Sequence, residues 1–176
     1  WDLFKKIGFI SSRASFAEVY INGNYYGLYV SVEHIDDEFL KKNFADDSGN
    51  LWKCLWPADL VYLGSNPELY KLEENNRPVY ELKTNEGEND YTNLARFINI
   101  INNTPDNLLP DSLEKILEIS EFLKYLAVNN LTGSWDDYWS LKNNYYLYHN
   151  PSGVSFFSVV GVLIPSFILL NQPIYR

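Results

Sequence analysis

The sequence has no methionine, one cysteine and two histidines, and each scarcity closes off a class of chemistry. Cys54 alone forms no internal disulfide and builds no thiolate cluster, while His34 and His149 are too few and too far apart in sequence to suggest a zinc site. Positive charge is short as well: 14 Lys and Arg stand against 23 Asp and Glu, a formal charge of −9. A surface of that sign repels a phosphate backbone, so no nucleic-acid partner is expected, and basic or cation-associated partners are favoured. Long apolar runs are missing too. The most apolar stretch, residues 156–170, is interrupted by Gly161 and Pro165 and is shorter than the ~20 residues of a membrane span, so no transmembrane helix is predicted. No charged-then-apolar leader is visible after Trp1, and the chain is read as a fragment.

What is present suffices for one folded domain, because 46% of the 176 residues are hydrophobic and 16% aromatic. Fourteen tyrosines and abundant Asn suggest a polar, aromatic-rich surface of the kind that secreted proteins carry. The opening segment with Phe4, Ile7 and Phe9 reads as a helix ending near Gly8. Two β-rich runs then flank Asn22-Gly23, the strongest short-range hairpin signal, since both central residues of a type I′ turn need positive φ. Alternation along the second run sends Leu28, Val30 and Val32 to the core. Asp36-Asp37-Glu38 places acids at the start of a short helix over 39–44. Strands are predicted at 51–55, 60–63 and 79–83. Helical periodicity takes over from Tyr91, with a helix stopping before Pro105, a short one through Leu113, Ile116 and Leu117, and a third capped by Ser120 and running to Gly133. Tyr145 to His149, a turn at 150–153 and the residues after it read as a closing hairpin.

Between the third helix and that hairpin lies Gly133-Ser134-Trp135-Asp136-Asp137-Tyr138, followed by Asn143-Asn144. A carboxylate followed closely by an amide suits phosphoryl transfer, in which one group accepts a hydroxyl proton and another helps to hold Mg²⁺. The same residue types also fill ordinary turns. Lys53 lies on a predicted strand, where a solvated lysine is equally ordinary. Asn22-Gly23 is either a plain hairpin turn or a backbone cradle for phosphates, and it is neither a Walker motif nor a Gly-x-Gly-x-x-Gly loop.

Several segments in one order carry more information than any of these motifs alone. The run from Val19-Tyr20-Ile21-Asn22-Gly23-Asn24 through Tyr29-Val30-Ser31-Val32-Glu33, then Gly49-Asn50-Leu51-Trp52-Lys53, Phe122-Leu123-Lys124-Tyr125, Trp135-Asp136-Asp137-Tyr138 and Asn144-Tyr145-Tyr146-Leu147-Tyr148 resembles the spore coat protein H (CotH) kinase family over about residues 3–153. The resemblance implies an α+β, atypical kinase-like fold with a β-rich first half and a mainly helical second half. It further implies a secreted, surface or spore-coat protein that uses ATP and Mg²⁺ to phosphorylate Ser or Thr of a coat or extracellular protein. On that basis Lys53 corresponds to the phosphate-binding lysine, with Glu33 its candidate partner. Asp136 corresponds to the loop aspartate that orients or deprotonates the substrate hydroxyl, and Asn144 to an amide that helps to hold Mg²⁺.

The chain departs from the family after Gly153. No Asp or Glu follows Asp137, so the second metal-binding aspartate expected from the family is missing. Residues 1–153 are therefore read as a partial domain of this type, and residues 154–176 as an apolar tail that is out of frame. The competing reading is a catalytically inactive structural or binding module of the same fold. Glycoside hydrolysis ranks last, because no second acid has an arguable position opposite Asp136.

Overall fold

A computed structural model describes residues 1–152 and the backbone of 157–161, and the architecture is α+β. Helix α1 (Asp2–Lys6) leads to the strands β1 (Ala14–Ile21) and β2 (Asn24–Val32), followed by α2 (Asp37–Asn43), β3 (Leu51–Cys54) and a 3-10 turn at Pro67–Tyr70. Two short strands, β4 (Glu73–Glu74) and β5 (Arg77–Pro78), precede β6 (Tyr80–Leu82). Helices α3 (Thr92–Asn103), α4 (Leu109–Leu113), α5 (Ile119–Thr132) and α6 (Tyr138–Leu141) come next, and β7 (Tyr145–His149) with β8 (Phe157–Gly161) closes the described part.

The centre is a four-stranded antiparallel sheet in the order β6-β3-β7-β8. Alternation along its strands divides the core in two. Trp52, Cys54, Tyr80, Leu82, Tyr145 and Leu147 pack with Leu94, Phe97 and Ile98 of α3 and Tyr125 and Val128 of α5. Leu51, Tyr146 and Tyr148 occupy the opposite face and meet Ile35 together with Phe39 and Leu40 of α2. Burying each large apolar side chain contributes roughly 1.5–3 kcal/mol, so the two-sided sheet is the main source of stability. Helix α2 starts where its acids predict: Asp36 is the N-cap and accepts from Phe39 N at 3.1 Å. Gly133 closes α5 with φ +66, the left-handed C-cap that favours glycine.

The β1–β2 hairpin forms across Asn22 (φ 51) and Gly23 (φ 81), in line with the sequence signal. Its relation to the core is different from the alternation pattern. Leu28 is 36% exposed and Val32 40%, Val30 is only half-buried, and none of the three joins either core cluster. The hairpin is a separate two-stranded sheet with aromatic residues open on its surface, including Phe16, Tyr20, Tyr25, Tyr26 and Tyr29. Period-two alternation marks a strand but does not say that anything covers the apolar face.

The predicted strand at 60–63 is irregular chain. Its amides already have partners, with Leu60 N on Tyr80 OH (2.9 Å), Val61 N on the Asp59 carboxylate (3.1 Å) and Leu63 N on Tyr70 OH (3.2 Å), while Leu60 takes φ +57. No ladder can form from donors committed in this way. Tyrosines do similar work elsewhere: Tyr145 OH donates to Ala58 O at 2.6 Å and Tyr91 OH to Tyr80 O at 2.7 Å. Much of the tyrosine content is thus internal framework rather than surface. Two further corrections concern helix ends. The second short helix spans Leu109–Leu113, with buried Ile116 and Leu117 just beyond it, and α5 is capped at Glu118 while Ser120 Oγ donates back to the Glu118 carboxylate.

The closing hairpin is present as the antiparallel pair β7–β8, with Tyr145 opposite Gly161 and His149 opposite Phe157. The expectations for Gly153, residues 154–156 and the tail beyond Gly161 lie outside the described residues. Among the described residues no helix is long and apolar enough to cross a membrane.

Candidate functional site

The loop between α5 and α6 gives its two adjacent carboxylates different tasks. Asp137 is 3% exposed and caps α6 by accepting from Ser140 N at 3.0 Å, so its side chain completes the backbone. Asp136 is bound from outside the loop. Its Oδ1 accepts from Asn143 Nδ2 and its Oδ2 from Asn144 Nδ2, both at 2.7 Å. The chain between them makes this possible, because Lys142 (φ 56) and Asn144 (φ 51) both take left-handed backbone that returns two consecutive amides to one carboxylate.

Asn143 also reaches the central sheet, its Oδ1 accepting from Trp56 N at 2.8 Å. It thereby ties Asp136 to the chain just past β3, the strand that bears Lys53. Sequence reasoning assigned Asn144 and left Asn143 without a role; the signal available was the Asn143-Asn144 doublet itself. Lys53 lies opposite Glu81 on β6 and Tyr146 on β7, and Tyr146 is two residues along from Asn144. Lys53 is half-buried on the sheet face shared with Leu51, Tyr146 and Tyr148. Burial, with Glu81 nearby, pushes the Tyr146 hydroxyl up to about 12, so it stays neutral and protonated at ordinary pH.

Glu33 is not placed as a partner of Lys53. Its carboxylate accepts from Arg13 Nη2 at 2.6 Å, Arg13 Nε at 2.9 Å, Arg13 N at 3.2 Å and Lys42 Nζ at 3.3 Å. Hydrogen bonds from the Arg13 guanidinium hold the carboxyl at about 2, well below the ordinary carboxylate range. The reason is topological. Glu33 directly follows β2, opposite the start of β1, so the strand pairing delivers Arg13 to it. Asn22 and Gly23 form the exposed tip of the same hairpin, and the pairing leaves their backbone unencumbered by either core cluster.

On the α5 side of the loop, a groove of about 590 Å³ is lined by Leu123, Leu126, Asn129, Trp135, Asp137 and Trp139 among others. Trp135 and Trp139 are 54% and 69% exposed, and the Asn129 side chain is buried. Cys54 is fully buried and its thiol is pushed up by desolvation, which makes it an inert core residue rather than a nucleophile. Among the described residues no three His, Cys, Asp or Glu side chains gather in a metal-binding group. The oxygen donors suited to Mg²⁺ are therefore one carboxylate, Asp136, with the Asn144 amide beside it. That is a thin set for a cation that prefers carboxylates supplemented by phosphate oxygens and water.

Comparison with known proteins adds an independent line. A family model described as CotH kinase protein matches residues 1–160. Inner spore coat protein H of Bacillus subtilis (strain 168) is 27% identical over 150 residues, covering 85% of this chain and 40% of that protein. Invasin CotH2 of Rhizopus delemar is 26% identical over 158 residues, covering 86% of this chain and 26% of that protein. The chain thus spans well under half the length of these curated relatives.

Proposed function

The chain belongs to the CotH kinase protein family, and on that premise we propose that it is part of an atypical, kinase-like phosphotransferase domain of a spore-coat, surface or secreted protein. It would use ATP to phosphorylate Ser or Thr hydroxyls on a coat or extracellular protein. The observation that carries the reading is the convergence of Asn143 and Asn144 on Asp136 beside the end of the strand bearing Lys53. A carboxylate fixed by two amide donors keeps one orientation at no reorganisation cost, which a group that orients or accepts a substrate hydroxyl proton needs. Asp137 is taken up in capping α6, so Asp136 is the carboxylate of the loop available for this work.

In this scheme the Lys53 ammonium meets the nucleotide phosphates, and the exposed Asn22-Gly23 turn offers backbone N–H groups to them. Asn144 would help to hold Mg²⁺, which offsets charge on the phosphates. Glu33 acts at a distance from this chemistry by locking the base of the hairpin to α2 through Arg13 and Lys42.

A second reading is supported by the same donor count. Among the described residues no three metal-ligating side chains gather at the site, a thin set for metal-assisted transfer. The open aromatic hairpin then favours a structural or binding module that keeps the fold. Thermal unfolding with and without Mg²⁺ and ATP separates nucleotide binding from its absence. A binding-competent chain gains about 2.7 kcal/mol at a hundred times Kd, whereas a module that has lost the nucleotide site gains nothing.

A further inference from the structure

The first core cluster contains space that its side chains do not fill. A cavity of about 160 Å³, partly open to solvent, is lined by Phe97, Leu117, Phe122, Tyr125, Tyr138 and Tyr145, with Ile101 and Leu113 among the rest. Cores of this size are normally packed as densely as organic crystals, so a space of several methyl groups stands out. Water is a poor occupant. The Tyr145 hydroxyl donates to Ala58 O at 2.6 Å, and the Tyr125 hydroxyl accepts from Tyr138 N at 3.3 Å and keeps its own proton to donate. A buried water wants two to four polar partners, and these walls offer few.

Size and wall chemistry together select the occupant. A dry apolar cavity of about 150 Å³ in another protein takes up benzene, so this one fits a single ring of roughly six to nine non-hydrogen atoms. The walls are mostly rings already arranged edge to face: Tyr138 and Tyr145 are 5.2 Å apart at 72°, and Phe122 and Tyr138 6.2 Å apart at 65°. A further ring extends that pattern with favourable quadrupole contacts, which an alkane of equal size cannot make.

We propose that this cavity binds a small neutral aromatic molecule, and that its occupancy bears on the Asp136 loop. The second half follows from sequence adjacency. Tyr138 directly follows Asp136-Asp137 and opens α6, and Tyr145 directly follows Asn144, so two cavity walls are neighbours of the two ends of the Asp136–Asn144 hydrogen bond. Filling the cavity steadies both. The proposal does not depend on phosphotransfer, and it stands whether or not nucleotide binds.

The test is thermal unfolding and amide exchange of the 176-residue chain with toluene and with methylcyclohexane. Toluene at ten times its Kd should raise Tm by about 3–6 °C and slow exchange of the Tyr138 amide. Methylcyclohexane, of similar size but without a ring quadrupole, should bind about two- to tenfold more weakly. Leu117→Phe fills the space from one wall and should abolish the toluene shift while keeping or raising the unliganded Tm. Ile101→Phe fills it from the other side and decides the matter if the first variant does not fold. No toluene shift up to its solubility, a shift that persists in the filled variants, or equal binding of methylcyclohexane overturns the proposal.

Discussion

Replacing Gly49 by alanine should damage the junction between β3 and β7 more than any other glycine substitution with an ordinary φ. A Cβ at this position would lie 1.8 Å from His149 O, 2.8 Å from Pro151 Cδ and 3.0 Å from His149 C. Two of those atoms are backbone, so no rotamer relieves the overlap, and the chains must separate. Separation strains three hydrogen bonds: Gly49 N to Tyr148 OH (3.3 Å), Thr84 Oγ1 to Gly49 O (2.9 Å) and His149 N to Asn50 O (2.9 Å). At about 1 kcal/mol per bond, with about 1–3 kcal/mol for overpacking, the loss is roughly 4–6 kcal/mol. With a urea m-value of about 2 kcal/mol/M, the midpoint should fall by about 2–3 M. Gly87→Ala is the control, since nothing lies within 4 Å of its Cβ and its φ is ordinary; it should be neutral or stabilising. Equal midpoints for the two variants would refute the close approach at Gly49, and with it the register that places Lys53 opposite Tyr146.

Glu33 has a folded pKa of about 2 against 4.5 unfolded, so the unfolded chain binds more protons between those values. Its contribution is therefore full above about pH 4.5 and lost as pH falls toward 2. Because Arg13 is exposed, screening leaves about 1 kcal/mol, and Glu33→Gln should flatten the acid limb of stability over that window by this amount. Asn143→Ala removes both the acceptor for Trp56 N and a donor to Asp136; we expect a loss of about 1–2 kcal/mol, and amide exchange at Trp56 at least tenfold faster. Leu28→Ser on the open hairpin should cost under about 0.5 kcal/mol, whereas Leu51→Ala in the covered sheet should cost about 2–5 kcal/mol, both read by chemical denaturation.

Local signals proved legible where a short stretch of chain determines its own geometry. Asn22-Gly23 fixes a turn through positive φ, Asp36 caps α2 through its own side chain, and Gly133 ends α5 in left-handed backbone. What depends on distant partners was not readable. Alternation at Leu28, Val30 and Val32 could not reveal that neither core cluster of the described residues covers the hairpin. Residues 60–63 have strand-like composition, but their amides are claimed by tyrosine hydroxyls at positions 70 and 80. At the site, residue order suggested Asp136 and Asn144. The role of Asn143 emerged from geometry, because the doublet with Asn144 does not say that one amide bridges the loop carboxylate to the end of β3. Glu33 shows the reverse error, since its position in the motif suggested Lys53 while antiparallel pairing delivers Arg13.

The proposed phosphotransferase site is tested most directly by titrating ATP with Mg²⁺ into the chain and into Lys53→Ala and Asp136→Asn, with stability of each variant checked alongside. Lys53 meets the phosphates in the ground state, so its loss should weaken binding at least about tenfold. Asp136→Asn keeps size, and because an amide oxygen can still accept from one of the two asparagines, binding should stay within about threefold while any Mg²⁺-dependent phosphate transfer disappears. Absence of ATP binding by the unaltered chain, or equal affinity in Lys53→Ala, would contradict the account.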